Sequence, residues 1–578
     1  MLVPMDRRGR LVLFTFALSI AGLFLEQAEP SPSLSAALHV LDFTVLLLIL
    51  WEAAAGIAGA AYKWNHIRKN APSLLFVLGF TVLFAFTKYQ AFSGIPAAAR
   101  GLLPQLLRNG FLALKIAGRV RRLSTFAERF SVHPAQTIVA SFLLVILTGS
   151  LLLMMPPATP DRTGLDFLDA VFTATSAVCV TGLVVADTAV DLAVPGQLAV
   201  LALIQIGGLG IMAYSFFGLF ALGRKVSLRD RLTVSYMLSE DDLRGLSASL
   251  RRIVLYTFAI EGLGAAAFYL RFAALGGHGW ESAFRALFHA VSAFCNAGFA
   301  LFSDSLESFR SDPWITLTAA ALIILGGISF GVIRDGLRSA GAALGALFGR
   351  RPAALPGPSQ NTRAVVSITL VLLASGLAGF YLLEHEGAMA SYGLGEQYLA
   401  AFFQSVTLRT AGFNTVPFGA LRDSTLLFMI VFMFIGGASG STAGGIKVNS
   451  LAAIGAYFAS FFRRERTPRI GGWSVAPEKV GRSLLVLAFG LSAVFLGVFF
   501  LTLTEGGDFL PLLFETVSAF GTVGLSTGLT SGLSSPGKIV IIALMFLGRL
   551  GPLTILSAAR RPGRRTEVQY PEGDLAVG

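Results

Sequence analysis

Long apolar runs separated by short polar stretches dominate this chain. Runs near the bilayer-spanning length of about 20 residues fall near 11–27, 38–61, 72–88, 101–118, 135–156, 196–222, 250–273, 314–334, 362–383, 425–460, 482–503 and 538–558. The pattern predicts an all-α polytopic membrane protein. Between the runs sit basic clusters: Arg7, Arg8 and Arg10; Lys63, Arg68 and Lys69; Arg119, Arg121 and Arg122; Arg224 and Lys225; Arg350 and Arg351; Arg463, Arg464 and Arg466; Arg560 and Arg561. If the spans alternate, every cluster falls on one side, which the positive-inside rule makes cytoplasmic. Both termini are then cytoplasmic. The first run has charged flanks and no small-residue cleavage site, so it reads as a retained helix.

Composition agrees with the pattern. The 578 residues are 54% hydrophobic and 13% charged, with a mean hydropathy of +0.71, too little charge to cover a soluble protein of this size. The net charge of +12 lies in the clusters between spans, so it marks topology and not a nucleic-acid partner. The two cysteines, Cys179 and Cys295, lack the spacing of a metal, redox or disulfide site.

Some polar interruptions recur. "SAVCVTGL" at Ser176–Leu183 is echoed by "SAFCNAGF" at Ser292–Phe299, "VTLRTAGF" at Val406–Phe413 and "SAFGTVGL" at Ser518–Leu525. The copies align on Gly182, Gly298, Gly412 and Gly524, and ten positions before each glycine stands Phe172, Phe288, Phe402 or Phe514. Each follows an apolar segment too brief to cross, such as 167–177. The chain therefore reads as a fourfold internal repeat, each unit being helix, half-helix, loop and helix, over 130–230, 231–350, 351–470 and 471–562.

Irregular backbone at membrane depth survives only within protein or beside a water-filled path. Carbonyls aimed at an axis can replace the hydration shell of a monovalent cation. Glycine permits the required φ values and keeps side chains away from the ion. The half-helix before each loop would point its partly negative C-terminal end at the pore. Four such loops predict a cation filter built from Val178, Cys179, Val180, Thr181 and Gly182; Cys295, Asn296, Ala297 and Gly298; Arg409, Thr410, Ala411 and Gly412; and Gly521, Thr522, Val523 and Gly524. The bland alternative, glycines packing at helix crossings, leaves the shared Ser, Phe and Gly pattern unexplained.

These loops, with "IQIGGLGIM" at Ile204–Met212 and "FIGGASGSTAGGIKV" from Phe434, resemble those of the Trk/Ktr/HKT superfamily of potassium transporters, most closely the bacterial KtrB- and TrkH-type pore subunits. The resemblance covers roughly residues 130–560 and implies four M1–pore loop–M2 repeats with pseudo-fourfold symmetry. It implies potassium passing between backbone carbonyls, since all four filter positions carry glycine, with sodium as a lesser expectation. It also implies a homodimer in the inner membrane of a prokaryote, surrounded by membrane lipid, and a cytosolic RCK-type ring. Any nucleotide would bind through that partner alone. Cys179 and Cys295 then read as small filter-wall residues.

The run from Phe434 breaks the third repeat's second span with glycines that cost a helix about 1 kcal/mol each. It lacks the G-x-x-x-x-G-K-[ST] order of a phosphate loop, because Lys447 stands between Ile446 and Val448. It resembles the family's intramembrane gate, with Gly436, Gly437, Ser439, Gly440, Ser441, Thr442, Gly444, Gly445 and Lys447 as candidate members. Arg549, inside the apolar "MFLGRLGPL", is a functional candidate by default. In the family the matching arginine faces the pore beside the gate; an anchor for loop carbonyls is the alternative role. Glu261, also within a span, reads as one half of a structural ion pair.

Residues 1–125 precede the repeats and look like a four-helix voltage-sensor-type bundle, with Asp42 and Glu52 in the second helix and Arg108, Lys115, Arg119 and Arg122 along the fourth. Their irregular spacing predicts a degenerate accessory bundle. The linker Arg350–Asn361 is a cytosolic turn, Arg463–Lys479 could dock a partner, and the tail over 563–578 is too short for an RCK domain. An enzyme is not expected, with no H-E-x-x-H, no G-x-S-x-G and few intramembrane acids. An ion-coupled secondary transporter would favour inverted repeats, whereas these loops enter from one side. Potassium uptake is the expected function; a sodium or weakly selective cation transporter is the alternative.

Overall fold

The structure, a computed structural model, describes residues 134–210, 246–277, 279–347 and 357–559, with isolated positions between 44 and 58. The N-terminal bundle, the stretch 211–245, most of the linker after Arg350 and the tail over 563–578 lie outside the described residues.

Helix follows helix in hairpin order. The first hairpin holds α1 (Pro134–Leu153), α2 (Phe167–Cys179) and α3 (Val194–Leu209). The second holds α4 (Leu246–Ala274), α5 (Gly279–Cys295), α6 (Pro313–Gly327) and α7 (Phe330–Leu347). The third comprises α8 (Gln360–Glu384), α9 (Leu394–Thr407), α10 (Asp423–Met433) and α11 (Val448–Phe462). A two-stranded hairpin, β1 (Arg469–Ile470) and β2 (Trp473–Ser474), leads to α12 (Pro477–Thr504), α13 (Phe509–Gly521), α14 (Ser535–Leu550) and α15 (Pro552–Ala559).

Burial is inverted relative to a water-soluble fold. The long helices α4, α8 and α12 are apolar enough to cross a membrane and turn large side chains outward: Leu263 is 72% exposed, and Leu382, Phe495 and Leu503 are each 68% exposed. Such a surface is stable only against hydrocarbon. The short helices α2, α5, α9 and α13, of 13, 17, 14 and 13 residues, span about 20–25 Å at 1.5 Å per residue and cannot cross a core of about 30 Å. They sit inside, where Phe172, Phe288 and Phe514 are completely buried. In the third hairpin Phe403 takes that place and Phe402 is only partly covered.

Two runs expected to be single spans are sharply bent. The run over 314–334 breaks between α6 and α7 by 110°, and that over 538–558 breaks between α14 and α15 by 95°. At the first bend Ser329 accepts the amide of Val332 on its Oγ at 3.3 Å, starting a new helix. At the second, Gly551 takes φ 78° and Pro552, which has no N–H to continue the old helix, opens the next one. Hydropathy sums alone cannot see either bend.

Candidate functional site

The four quoted loops share one backbone form. Two residues before each glycine the chain enters the left-handed region: Val180 at φ 56°, Asn296 at 60°, Thr410 at 69° and Thr522 at 50°. The glycines follow at 93°, 72°, 81° and 91°. A non-glycine residue in this region costs on the order of 1–2 kcal/mol, so fourfold recurrence marks a conformation held by its surroundings. Part of the hold is local. Ser176 Oγ accepts the amide of Gly182 and Ser518 Oγ that of Gly524, both at 3.1 Å, while Ser292 Oγ donates to Phe299 O at 2.7 Å. Val406 stands where the third loop would need the serine, and there α9 stops two residues earlier, at Thr407, with Ala411 N bonding back to Thr407 O at 3.0 Å.

The loops also meet one another in a closed order. A Cβ placed on Gly182 would stand 2.5 Å from Ala297 O and 3.0 Å from Gly298 Cα. One on Gly298 would stand 2.9 Å from both Ala411 O and Gly412 Cα, and one on Gly412 2.7 Å from Val523 O. On Gly524 it would collide with Thr181 O, returning to the first loop. Glycine 182 thus meets 298, 298 meets 412, 412 meets 524, and 524 meets 182. Any side chain would force adjacent loops apart. The non-glycine members of the predicted set, from Val178 to Val523, are at most 4% exposed. Among the described residues the hydroxyls of Thr181, Thr410 and Thr522 have no protein partner, nor do Nε and Nη2 of Arg409.

Beneath this ring lies the interrupted second span of the third hairpin. Between α10 and α11 the chain turns back on itself: Gly436 N bonds to Ile446 O at 2.9 Å and Val448 N to Gly437 O at 3.0 Å. Gly440 and Gly445 take φ 76° and 64°. Inside the loop Ser441 Oγ donates to Ala438 O at 2.7 Å and Lys447 Nζ to Ala443 O at 2.5 Å, while Ser439 N donates to Asn449 Oδ1 at 2.9 Å. The loop abuts the fourth glycine loop, because a Cβ on Gly444 would strike the Thr522 side chain.

Its remaining bonds go to other hairpins. Ala438 N reaches Gly327 O at 2.9 Å, Thr442 N reaches Gly326 O at 3.2 Å, and Thr442 Oγ1 donates to Gly326 O at 2.9 Å and Phe294 O at 3.2 Å. The bend after α6 thus frees two of these three carbonyls, Gly326 O and Gly327 O. From the opposite side Arg549 donates to Thr442 O through one Nη and to Gly207 O through the other. One guanidinium therefore ties the loop to the end of α3.

One sequence expectation changes here. Glu261 forms no ion pair among the described residues; both its carboxylate oxygens accept from Gln205 Nε2 at 3.1 Å. Cys295, read as a filter-wall residue, turns its Sγ to the same carboxylate at 3.7 Å. A neutral amide and a thiol take the place expected of a cation.

Several positions escaped the sequence reading. Gly207, Gly326 and Gly548 lie where any Cβ would collide with Val178 O, Phe294 O and Phe520 O, each four residues before a loop glycine. The signal was present as glycines recurring in the second helices. Glu515, fully buried, accepts from Ser526 Oγ at 2.5 Å, Thr527 N at 2.9 Å and Thr530 Oγ1 at 2.6 Å, bracing the segment that follows the fourth loop. Glu384, also fully buried, accepts from Thr425 Oγ1 at 2.5 Å and the amides of Arg422 and Ala388 at 3.0 and 2.9 Å.

Comparisons with known proteins agree with this architecture. The TrkH family profile, described as a cation transport protein, matches residues 104–565. The chain is 38% identical over 448 residues to the Ktr system potassium uptake protein B of Bacillus subtilis, covering 77% of this chain and 97% of that one. It is 39% identical over 444 residues to the protein of the same name from Vibrio alginolyticus, covering 76% and 94%. The potassium/sodium uptake protein NtpJ of Enterococcus hirae is 34% identical over 460 residues, covering 78% and 98%. Among solved structures, the crystal structure of the potassium transporter TrkH from Vibrio parahaemolyticus superimposes with a TM-score of 0.58 at 18% identity, over 96% of this chain and 99% of that one.

Proposed function

The chain belongs to the TrkH family of cation transport proteins, and from that premise we propose that it takes potassium into the cell through a pore built by one polypeptide. The observation that carries this reading is the closed order of four glycine loops. Each repeats a left-handed residue followed by a positive-φ glycine, and each glycine lies against the carbonyl of the next loop. In the proposed mechanism a dehydrated cation exchanges water for the loop carbonyls and passes between several such sites down its electrochemical gradient. The units 130–230, 231–350, 351–470 and 471–562 supply one loop each. Potassium is the proposed cargo because two relatives above 35% identity are named for its uptake and no loop replaces its glycine.

The loop from Gly436 to Lys447 is the proposed gate. Its bonds to Gly326 O, Gly327 O and Phe294 O, each worth about 1 kcal/mol net, and its charge-assisted tie to Arg549 favour closure by a few kcal/mol. Moving such an equilibrium from mostly shut to mostly open takes about 5.5 kcal/mol. Engagement of a cytosolic RCK-type ring by a homodimer of this chain is of the right scale to supply it, with any nucleotide bound by the ring. Arg549 has both weighed roles in this scheme: it anchors loop carbonyls and sets a positive charge beside the conduction path.

The name of the Enterococcus relative supports a second reading, in which sodium also passes. Potassium and sodium flux into proteoliposomes, with and without the cytosolic partner, separates the two. Potassium flux well above sodium flux, raised by the partner, is expected. Equal fluxes would favour the weakly selective transporter, and no flux of either ion with the partner present would remove the pore assignment.

A further inference from the structure

A cavity of about 610 Å³ opens between α8 and α11 and is closed on one side by the β1–β2 hairpin, within the range of about 300–1,000 Å³ usual for small-ligand sites. Gln360 Nε2 donates to Ile470 O at 3.2 Å and ties the hairpin to α8. Arg363 from α8, Arg463 just after α11 and Arg469 on β1 all line the cavity. Arg469 pairs with Glu465 at 3.4 Å. Neither Arg363 nor Arg463 forms an ion pair among the described residues. Asp335, on the adjoining α7, does not line the cavity and has Arg334 beside it at 4.0 Å. The cavity therefore holds a surplus of positive charge.

Its floor is of another kind. Ala452, Gly455, Ala456 and Ala459 line it along α11, and a Cβ on Gly455 would meet nothing within 4 Å. This trough runs beside outward-facing apolar residues: Leu370 and Val371 are 60% and 64% exposed, Phe458 55%, Phe461 73% and Phe462 81%. Trp473, a cavity-lining residue that is 63% exposed, and the arginines at 463, 464 and 466 set this level at the membrane–water interface. The cavity is thus basic at headgroup depth and apolar along the acyl region.

We propose that this cavity binds one anionic phospholipid of the cytoplasmic leaflet, its phosphate held by Arg363, Arg463 and Arg469 and an acyl chain lying in the trough over Gly455. Guanidinium forks suit phosphate oxygens. The lipid would bridge α8, α11 and the hairpin, and α11 begins where the loop from Gly436 ends.

Native mass spectrometry of the full chain in detergent, titrated with phosphatidylglycerol or phosphatidylcholine, tests this without relying on transport. The wild-type chain should retain phosphatidylglycerol preferentially. The triple variant R363Q/R463Q/R469Q should lose that preference by on the order of 100-fold, from about a factor of five per arginine. Three lysines at the same positions, which keep the charge but lose the guanidinium fork, should restore a clear part of it over the glutamine variant, which separates charge from misfolding. Gly455→Trp, filling open space, should lower retention with the charges intact, and R338Q, outside the cavity, should change nothing. Equal retention by wild type and the triple variant would overturn the site. So would displacement of the lipid by millimolar inorganic phosphate, which would make it a free-anion site, or efficient disulfide cross-linking between copies carrying Gly455→Cys, which would make its occupant a second copy.

Discussion

At the scale of single residues, the glycines of the four loops are constrained twice. Positive φ accounts for one constraint and the neighbouring carbonyl for the other: a Cβ on Gly412 would sit 2.7 Å from Val523 O. Gly412→Ser should therefore widen the ring and lower the potassium-to-sodium permeability ratio by about tenfold, the equivalent of roughly 1.4 kcal/mol. Reversal potentials in liposomes measure it, and an unchanged ratio would count against the carbonyl filter. Glu515 is constrained by its donors. A glutamine there keeps the shape but presents an NH₂ to groups that need an acceptor, at a cost of about 1–3 kcal/mol. Glu515→Gln should lower the thermal unfolding midpoint in detergent; an unaltered midpoint would deny the carboxylate its bracing role. The repeat glycines were legible because each recurs ten positions after a phenylalanine, and three of them six positions after a serine. Glu515 was not, since its partners Ser526, Thr527 and Thr530 are ordinary turn residues until the loop folds over it.

Among the elements, the second helices differ most from their sequence reading. Continuous apolarity over 314–334 and 538–558 suggested rods, yet both bend by about a right angle. A bend needs no polar residue when a serine can cap the next helix, as Ser329 does, or when a glycine–proline pair stops the first, as at Gly551 and Pro552. The bend at Gly327 has a use: its freed carbonyls receive the amides of Ala438 and Thr442. Deleting Gly440–Gly444 removes Thr442 together with the bonds it makes, so basal cation flux without the partner should rise by at least about tenfold, given roughly 1 kcal/mol for each lost bond. Arg549→Ala removes only the ties to Thr442 O and Gly207 O and should raise flux less. Radiotracer uptake compares them; wild-type rates in the deletion would take the gate away from this loop.

For the whole molecule, the decisive property is closure. Loop one meets loop four through Gly524 and Thr181 O, and Lys538 on α14 pairs with Asp169 on α2 at 2.5 Å. The ends of the repeated region are thereby joined, so the proposed pore would need no contribution from residues 1–125. A chain lacking those residues should retain its ion discrimination when reconstituted, read as the same reversal potential. Loss of discrimination in a folded truncation would tie the leading segment to the pore.

Sequence alone determined the class, the number of glycine loops and the place of the interrupting loop, because each rests on local chemistry: hydropathy, glycine's tolerance of positive φ, and a run of small residues no continuous helix would choose. Tertiary structure alone decided which atoms meet. That Glu261 is held by Gln205 and Cys295, that Gly207 must admit Val178 O, and that Arg549 spans two hairpins all depend on groups brought from distant parts of the chain. A hydrogen bond or a collision is set by distances of a few ångströms in space, and no spacing along the chain encodes them until the hairpins have packed.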